Sequence, residues 1–521
     1  MKLLIVAINS QYVHASPVPW LLKATCASSA ELEITVREFT INDRLDYIET
    51  QILLAQPDFL AVSCYIWNID LVHKIIPDIK KLMPELKVLL GGPEAEHTPK
   101  PWFCDTLLFG DGEQSLPEYF GIQAAPWETV ALAAASDICE NGKGKIIYLE
   151  TVRGCPFKCS YCLAPQSGKV RKMDLIQVEK MIEIYMASKV RQVKFVDRTF
   201  NADRSRALAI IKMIESSYLK AKSEGKTPPE SWHFEVAGDL FDEPMFEIIE
   251  RLPAGLVQFE VGVQSLNGHA LGLTARQTDS ERVLKNITRL VAAGTCLVHA
   301  DLIAGLPGEG IQSFKAGFDR LHSTNPHQLQ LGFLKVLKGS ALAEQACELG
   351  LVWSENSPYQ VLQTRELSWS EMLQLSRVEE MVERCWNNGR FTETVKQLAD
   401  GKYFDFYQAL EGKLAQESSL PMSATSMALE LWKFANASNL RRTILIDLLT
   451  SCFPVKIPEA LKFGAPAKSK FAEISREATL VFGDAKTHFE MVSDSEVLIL
   501  NCSERHPVTG RLSYLIHSMK S

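Results

Sequence analysis

The 521-residue chain contains no apolar run approaching the roughly 18 residues that a membrane-spanning helix needs. It has no surplus of positive charge either: 55 Lys and Arg stand against 63 Asp and Glu, a formal charge of −8. That balance gives no general electrostatic reason to hold nucleic acid or an anionic membrane. Residues 1–8 are too short for a signal-peptide core and run into polar Asn9-Ser10-Gln11, so they are expected to form a first β-strand of a cytoplasmic protein. Cysteine is scarce. The 12 present are too few for a disulfide scaffold of this size and are expected to be reduced. No internal repeat is visible. What the chain does have is 46% apolar residues, enough for substantial cores, and a length suited to three or four domains. Its cysteines are also unevenly spread, since Cys155, Cys159 and Cys162 fall within eight residues.

Up to about residue 120, short β-branched runs alternate with helical stretches. The expected strands are 3–8, 33–39, 59–63, 88–90 and 106–109, and residues 68–83 carry apolar side chains at helical spacing (Ile69, Val72, Ile75, Ile76 and Ile79). Such alternation predicts an open parallel sheet of Rossmann-like, flavodoxin-like type with helices on both faces. Ligands bind such sheets at the carboxyl ends of the strands. Those ends read Ser63-Cys64-Tyr65-Ile66-Trp67-Asn68, Gly91-Gly92-Pro93-Glu94 and Gly110-Asp111-Gly112-Glu113. Glycines there let a bulky ligand approach the backbone; the alternative is ordinary strand-exit turns.

Residues 126–145 carry little amphipathic pattern and are expected to be a linker between a first domain (1–125) and a second (146–340). In the second, strands are expected at 146–151, 192–196, 231–236, 256–262, 297–303 and 328–333. Six βα repeats predict a partial (βα)6 barrel of TIM type, with its chemistry at the strand exits. A third domain (341–521) is expected to be mainly helical α+β, with helices at 370–387, 423–435 and 441–449 and strands at 478–482, 496–501 and 512–516. Trp353, Trp369 and Trp386 line either a pocket there or an aromatic core.

After the first barrel strand comes Arg153-Gly154-Cys155-Pro156-Phe157-Lys158-Cys159-Ser160-Tyr161-Cys162. The spacing is C-x3-C-x2-C, with no fourth cysteine. A structural zinc site and a simple electron-transfer cluster each use four ligands, so three thiolates on a four-iron cluster leave one iron open. A zinc knuckle completed by a distant His or Cys is the alternative on spacing alone.

The loop, with Tyr161 just before its last cysteine, resembles that of the radical S-adenosylmethionine superfamily. Further along, Phe259-Glu260-Val261-Gly262-Val263-Gln264-Ser265 is similar to that family's E-x-G-x-Q-S strand. Asp301-Leu302-Ile303-Ala304-Gly305-Leu306-Pro307-Gly308-Glu309 resembles its D-x-I-x-G-L-P-G-E strand end. The resemblance implies a 4Fe-4S cluster on Cys155, Cys159 and Cys162, with S-adenosylmethionine chelating the open iron. One-electron reduction, from a reductant such as flavodoxin or ferredoxin, would then give a 5′-deoxyadenosyl radical. By motif position Glu260 and Gln264 would contact the cofactor's methionyl or ribose part. Asp197, Asn201 and Arg276 would make polar contacts, and Gly305 and Leu306 would flank the adenine. Barrel salt bridges, solvated charges and a tight turn are the plainer alternatives for these residues.

A parallel domain ahead of such a barrel resembles the cobalamin-binding domain of the cobalamin-dependent branch of the superfamily, whose C-terminal part includes an uncharacterised domain. The resemblance rests on the Gly91-Gly92 and Gly110-Asp111-Gly112-Glu113 exits and on Tyr65-Ile66-Trp67-Asn68, and it implies cobalamin at Tyr65, Gly91, Gly92, Gly110 and Gly112. The D-x-H-x-x-G motif that supplies a lower cobalt ligand elsewhere is missing; His14 lies after the first strand at a different spacing, and a hydrogen-bonded or surface role suits it better. The implied activity is methylation of an unactivated carbon, on a small-molecule or peptide substrate. Three rivals stand beside it: cobalamin-assisted cyclisation or rearrangement, a methylthiotransferase using Cys26, Cys64 and Cys104, and a non-catalytic cobalamin or iron–sulfur sensor.

Overall fold

The structure is a computed structural model that describes residues 1–97, 99–164, 168–387, 389–417, 422–435, 440–464 and 470–519. Its first sheet contains β1 (Lys2–Asn9), β2 (Glu33–Thr40), β3 (Phe59–Ser63), β4 (Lys87–Gly91) and β5 (Thr106–Leu108), all parallel, in the order β2-β1-β3-β4-β5. This is the flavodoxin-like order, and all five strands lie within a residue or two of their expected positions. Central β1 is apolar throughout because helices cover both faces of the sheet. Leu4, Val6 and Ile8 pack with Ile48, Ile52, Val72, Ile75 and Ile79 on one side. Leu3 and Ile5 pack with Leu22 and Leu116 on the other. Residues 126–145 are not an open linker: a helix runs from Trp127 to Asn141 and buries Val130, Ala134, Ala135 and Ile138. Its apolar face is made largely of alanine, too small and too weakly hydrophobic to read as a stripe.

The second sheet has the order β13-β12-β11-β10-β9-β6. Its strands are β6 (Ile146–Leu149), β9 (Gln192–Phe195), β10 (Ser231–Val236), β11 (Val257–Gln264), β12 (Leu297–Ala304) and β13 (Gln328–Phe333). Six successive strands with helices between them are the expected partial barrel. Between β6 and β9, β7 (Val152–Arg153) and β8 (Arg171–Lys172) pair antiparallel and close the base of the cysteine loop. Later, β14 (Val352–Trp353) pairs with β15 (Val361–Gln363).

The chain divides into two compact units. One comprises 1–260, 271–278 and 333–365; the other comprises 261–270, 279–332 and 366–521. In the second, helices 369–382, 392–399, 403–417, 424–435 and 440–452 precede an antiparallel sheet of β16 (Thr487–Ser493), β17 (Glu496–Arg505) and β18 (Leu512–Ser518). The expected strand at 478–482 is instead the end of a helix, Phe471–Phe482. Ile474 and Ala478, four residues apart, put one face of that helix onto Met491, Val497 and Ile499. A five-residue apolar run cannot by itself separate strand from helix. Trp386 is buried against His322, whereas Trp369 is exposed. No helix among the described residues is long and apolar enough to cross a membrane.

Candidate functional site

Within the first unit, a cavity of about 770 Å³ opens at the carboxyl ends of β1, β3, β4 and β5 and reaches the cysteine loop. One wall includes Tyr65, Trp67, Gly91, Gly92, Gly110 and Gly112; the opposite wall includes Tyr148, Arg153, Gly154, Leu163 and Ala164. The cavity falls in the size range of small-molecule and cofactor sites. Gly92 has φ +98°, and a Cβ there would lie 2.7 Å from the Cys64 carbonyl oxygen, so only glycine fits. Gly110 has φ +73°, and its N–H donates to Glu96 Oε1 at 2.6 Å. Tyr65 stacks on Trp67 with ring centroids 4.4 Å apart and planes 5° from parallel. Asn68 holds that turn by accepting from the Tyr65 N–H at 2.8 Å and donating to the Ser63 carbonyl at 2.9 Å.

The two walls belong to one body. Strand β6 begins where the segment after β1 pairs with it: the Ile146 N–H donates to the Val13 carbonyl at 2.7 Å, and the Ala15 N–H donates to the Ile146 carbonyl at 3.0 Å. His14 lies here. Its Nδ1 is 2.6 Å from the Tyr148 hydroxyl, the rings stack, and burial followed by the charge of Lys194 lowers its pKa. A stronger tie surrounds Arg153. Its guanidinium meets Glu150 at 2.8 Å, Glu113 at 2.7 Å and Asp111 at 3.1 Å, and lies over the Trp127 ring. Arg171, opposite Arg153 in the small hairpin, also meets Asp111, at 2.7 Å. Burial pushes the Glu150 carboxyl upward, and Arg153 offsets part of that rise. The sequence reading treated Asp111 and Glu113 as strand-exit residues and missed Arg153 and Arg171 as their partners, and Glu150 as the third carboxylate on Arg153. The available signal was opposite charges at strand exits brought together by the βα topology.

In the loop itself, the Arg276 guanidinium donates to Cys159 Sγ at 3.8 Å and the Ala164 N–H donates to Cys162 Sγ at 3.4 Å. Cys155 Sγ lies 3.5 Å from Thr199 Oγ1. Donors directed at sulfur suit thiolates. Among the described residues no group of three or more His, Cys, Asp or Glu side chains is gathered around a single point.

Asp197 is buried and accepts from the Thr151 N–H (2.7 Å), the Thr151 hydroxyl (2.5 Å) and the Val152 N–H (3.0 Å); burial raises its pKa to about 6. Asn201 uses both ends of its amide on the Ala237 backbone, at 2.9 Å each. These two side chains therefore shape the loops next to the site. Glu260 pairs with His233 at 2.9 Å and Lys194 at 3.0 Å. Burial alone would raise its pKa, but the two partners outweigh that and hold it at about 2. Glu235 and Arg198, not anticipated from the sequence, also line the cavity, and burial raises the Glu235 carboxyl. Gln264, Gly305 and Leu306 lie in the second unit. Gln264 ends β11 at φ +69° with a Ser265 N–H to Val263 carbonyl bond across it, Gly305 has φ +89°, and Leu306 is fully buried.

An open flavodoxin-like sheet whose glycine exits share a cavity with the residues flanking a three-cysteine barrel loop is the arrangement that the sequence resemblance implies. Three family models match the chain: the B12 binding domain at residues 4–120, the radical SAM superfamily at 149–321 and a protein family of unknown function, DUF4080, at 347–491. The chain thus carries a radical SAM domain with a B12 binding domain ahead of it. It is 22% identical over 322 residues to the cobalamin-dependent radical SAM methyltransferase TokK of Streptomyces tokunonensis, across 53% of this chain and 46% of the relative. The match thus spans less than half the relative's length. The cobalamin-dependent S-adenosylmethionine radical enzyme OxsB, solved with aqua-cobalamin and S-adenosylmethionine, superposes with a TM-score of 0.56 at 12% identity, covering 93% of this chain and 81% of that one. The radical S-adenosylmethionine methyltransferase TsrM of Kitasatospora setae, solved with cobalamin and a 4Fe-4S cluster, gives 0.53 at 15%, covering 68% and 78%.

Proposed function

We propose that the protein is a radical S-adenosylmethionine methyltransferase that uses a 4Fe-4S cluster and cobalamin to methylate an unactivated carbon. The observation that carries this reading is a cavity bounded by the glycine exits of the N-terminal sheet and by Gly154, Leu163 and Ala164, which flank the three cysteines. When bound, the cluster supplies one-electron cleavage of S-adenosylmethionine, and the corrin supplies a methyl carrier.

Cys155, Cys159 and Cys162 would hold the cluster, and the donor set fits: three thiols on one loop, with N–H and guanidinium donors aimed at two of them. Arg276 places a guanidinium donor beside Cys159 Sγ. Gly91, Gly92, Gly110 and Gly112 present bare backbone to the corrin, and the Tyr65–Trp67 stack gives it an apolar wall that excludes water. By motif position Glu260, anchored by Lys194 and His233, would contact S-adenosylmethionine, as would Gln264, Gly305 and Leu306 by theirs. Asp197 holds Thr151 and Val152 ahead of the cysteine loop, and Asn201 holds the Ala237 backbone. Cys26 is buried in one apolar layer of the N-terminal domain and Cys64 and Cys104 in the other, so the three do not meet, which disfavours a second cluster of methylthiotransferase type. An electron donor such as flavodoxin or ferredoxin completes the system.

The test is turnover. The chain is purified anaerobically, reconstituted with iron, sulfide and methylcobalamin, and reduced in the presence of S-adenosylmethionine. Formation of 5′-deoxyadenosine is expected. Its absence above background, with the cluster intact, overturns the enzyme reading; absence of corrin absorption overturns the cobalamin assignment.

A further inference from the structure

After β13, whose residues up to 332 are counted with the second unit, the chain returns to the first: residues 333–365 are part of it. This segment is bonded to itself. The Val336 N–H donates to the Tyr359 carbonyl at 2.9 Å and the Val361 N–H donates to the Leu334 carbonyl at 2.8 Å, so residues 334–336 and 359–361 run as an antiparallel pair. Strands β14 and β15 extend the pairing, and the Leu351 N–H donates to the Ala346 carbonyl at 2.9 Å. Leu342 and Tyr359 therefore move as parts of one piece.

That piece contacts residues that stand behind both walls of the cavity. At one end the Leu342 N–H donates to the Ser160 carbonyl at 2.8 Å, inside the cysteine loop; the Ser160 N–H is held from elsewhere by the Thr274 carbonyl at 3.0 Å. At the other end the Tyr359 hydroxyl donates to Glu94 Oε2 at 2.7 Å, with both residues buried. The Ser357 hydroxyl donates to the Ile66 carbonyl, between cavity-lining Tyr65 and Trp67. Gly339, at φ +80°, packs directly on the His97 imidazole, and a Cβ there would lie 2.3 Å from the ring. Tyr359 itself sits at φ +59°, a conformation that a non-glycine residue keeps only when its surroundings impose it.

We infer that residues 334–365 form a strap that sets the separation between the cysteine loop and the Tyr65–Glu94 wall, with Tyr359 as the positioning residue that latches it to Glu94. The first residues matched by the family of unknown function, 347–365, thereby gain a role: they brace the residues behind the cavity from outside it. The inference rests on the proposed function for its purpose, but not for its test. The strap is a mechanical link, so a change at one wall is felt at the other.

Hydrogen exchange read by mass spectrometry on the full, cofactor-free chain tests the link. Tyr359→Phe removes only the latch hydroxyl, while Gly339→Ala lifts the strap off His97 by a different route. Both should speed exchange roughly tenfold in peptides covering 62–69 and also in those covering 154–164, with the melting profile of the rest of the chain retained. Exchange that changes at 62–69 and not at 154–164 overturns the strap. In the same set, aquocobalamin should slow exchange at both walls in the wild type and only at 62–69 in Tyr359→Phe. If the wild type binds no corrin, the proposed function fails, and the cofactor-free comparison still decides the strap.

Discussion

The cysteine loop and the glycine exits adjoin one cavity, yet they are built in opposite ways. The loop's groups are contiguous in sequence, carry their chemistry in their side chains, and are supported by donors such as Arg276 and the Ala164 N–H. The exits follow two separate strands, β4 and β5, and act through what they lack, since Gly92 cannot carry a Cβ against the Cys64 carbonyl. A metal cluster needs particular ligand atoms, whereas a large flat cofactor needs a shaped surface. The first requirement restricts residue types at fixed spacing; the second restricts backbone geometry and tolerates many sequences.

The sharpest way to separate the two walls is Cys159→Ala. It should abolish cluster iron and all cleavage of S-adenosylmethionine while leaving corrin binding intact, as measured by iron content, 5′-deoxyadenosine and corrin absorbance. Loss of corrin binding as well would erase the distinction. Arg153→Met should affect both walls, because it strips one guanidinium from Glu150, Glu113 and Asp111. Leaving Glu150 and Glu113 without that guanidinium, while Arg171 still holds Asp111, should cost about 2–4 kcal/mol in a denaturant titration. Arg153→Lys should recover only part of that, since it restores the charge and not the fork. Gly92→Val is the mirror of the cysteine change: strain of about 1–3 kcal/mol and weakened corrin binding, with cluster iron unaffected.

The smallest expected effect lies in the second unit and touches neither wall. Glu309 is buried, accepts from Ser265 at 2.8 Å, and is pushed by burial to a pKa of about 7. A raised carboxyl pKa means the folded chain holds the proton more tightly, so this stabilisation is present below about pH 4.5 and is lost as pH rises through 7. Glu309→Gln should flatten that slope and add stability of order 1 kcal/mol above pH 7, read by thermal melts of the cofactor-free chain. An unchanged slope would mean that Glu309 keeps its ordinary pKa.

Much of this was legible because it is local. The strands of both sheets could be read from short apolar runs flanked by turns, and the cluster loop from its spacing. What escaped was either disguised or distant. The helix at 127–141 was disguised by its alanines, and the helix at 471–482 by a β-branched run near its end. The Arg153 network and the strap at 334–365 join residues separated by as many as 291 positions, as in the Ser357 contact with Ile66, and no local pattern records such a pairing. Asp197 and Asn201 were marked as polar groups at a strand exit, and the structure shows what that position does not reveal: their polar atoms turn inward onto Thr151, Val152 and Ala237.

The central claim is that three thiolates hold one cluster with an iron open to S-adenosylmethionine, in a chain that also holds a corrin. Electron paramagnetic resonance of the reduced, reconstituted protein tests it most directly, with iron and cobalt counted on the same sample. The account predicts about four iron and one cobalt per chain and a cluster signal that shifts when S-adenosylmethionine is added. Zinc in place of iron, or a full cluster whose signal ignores S-adenosylmethionine, would contradict it.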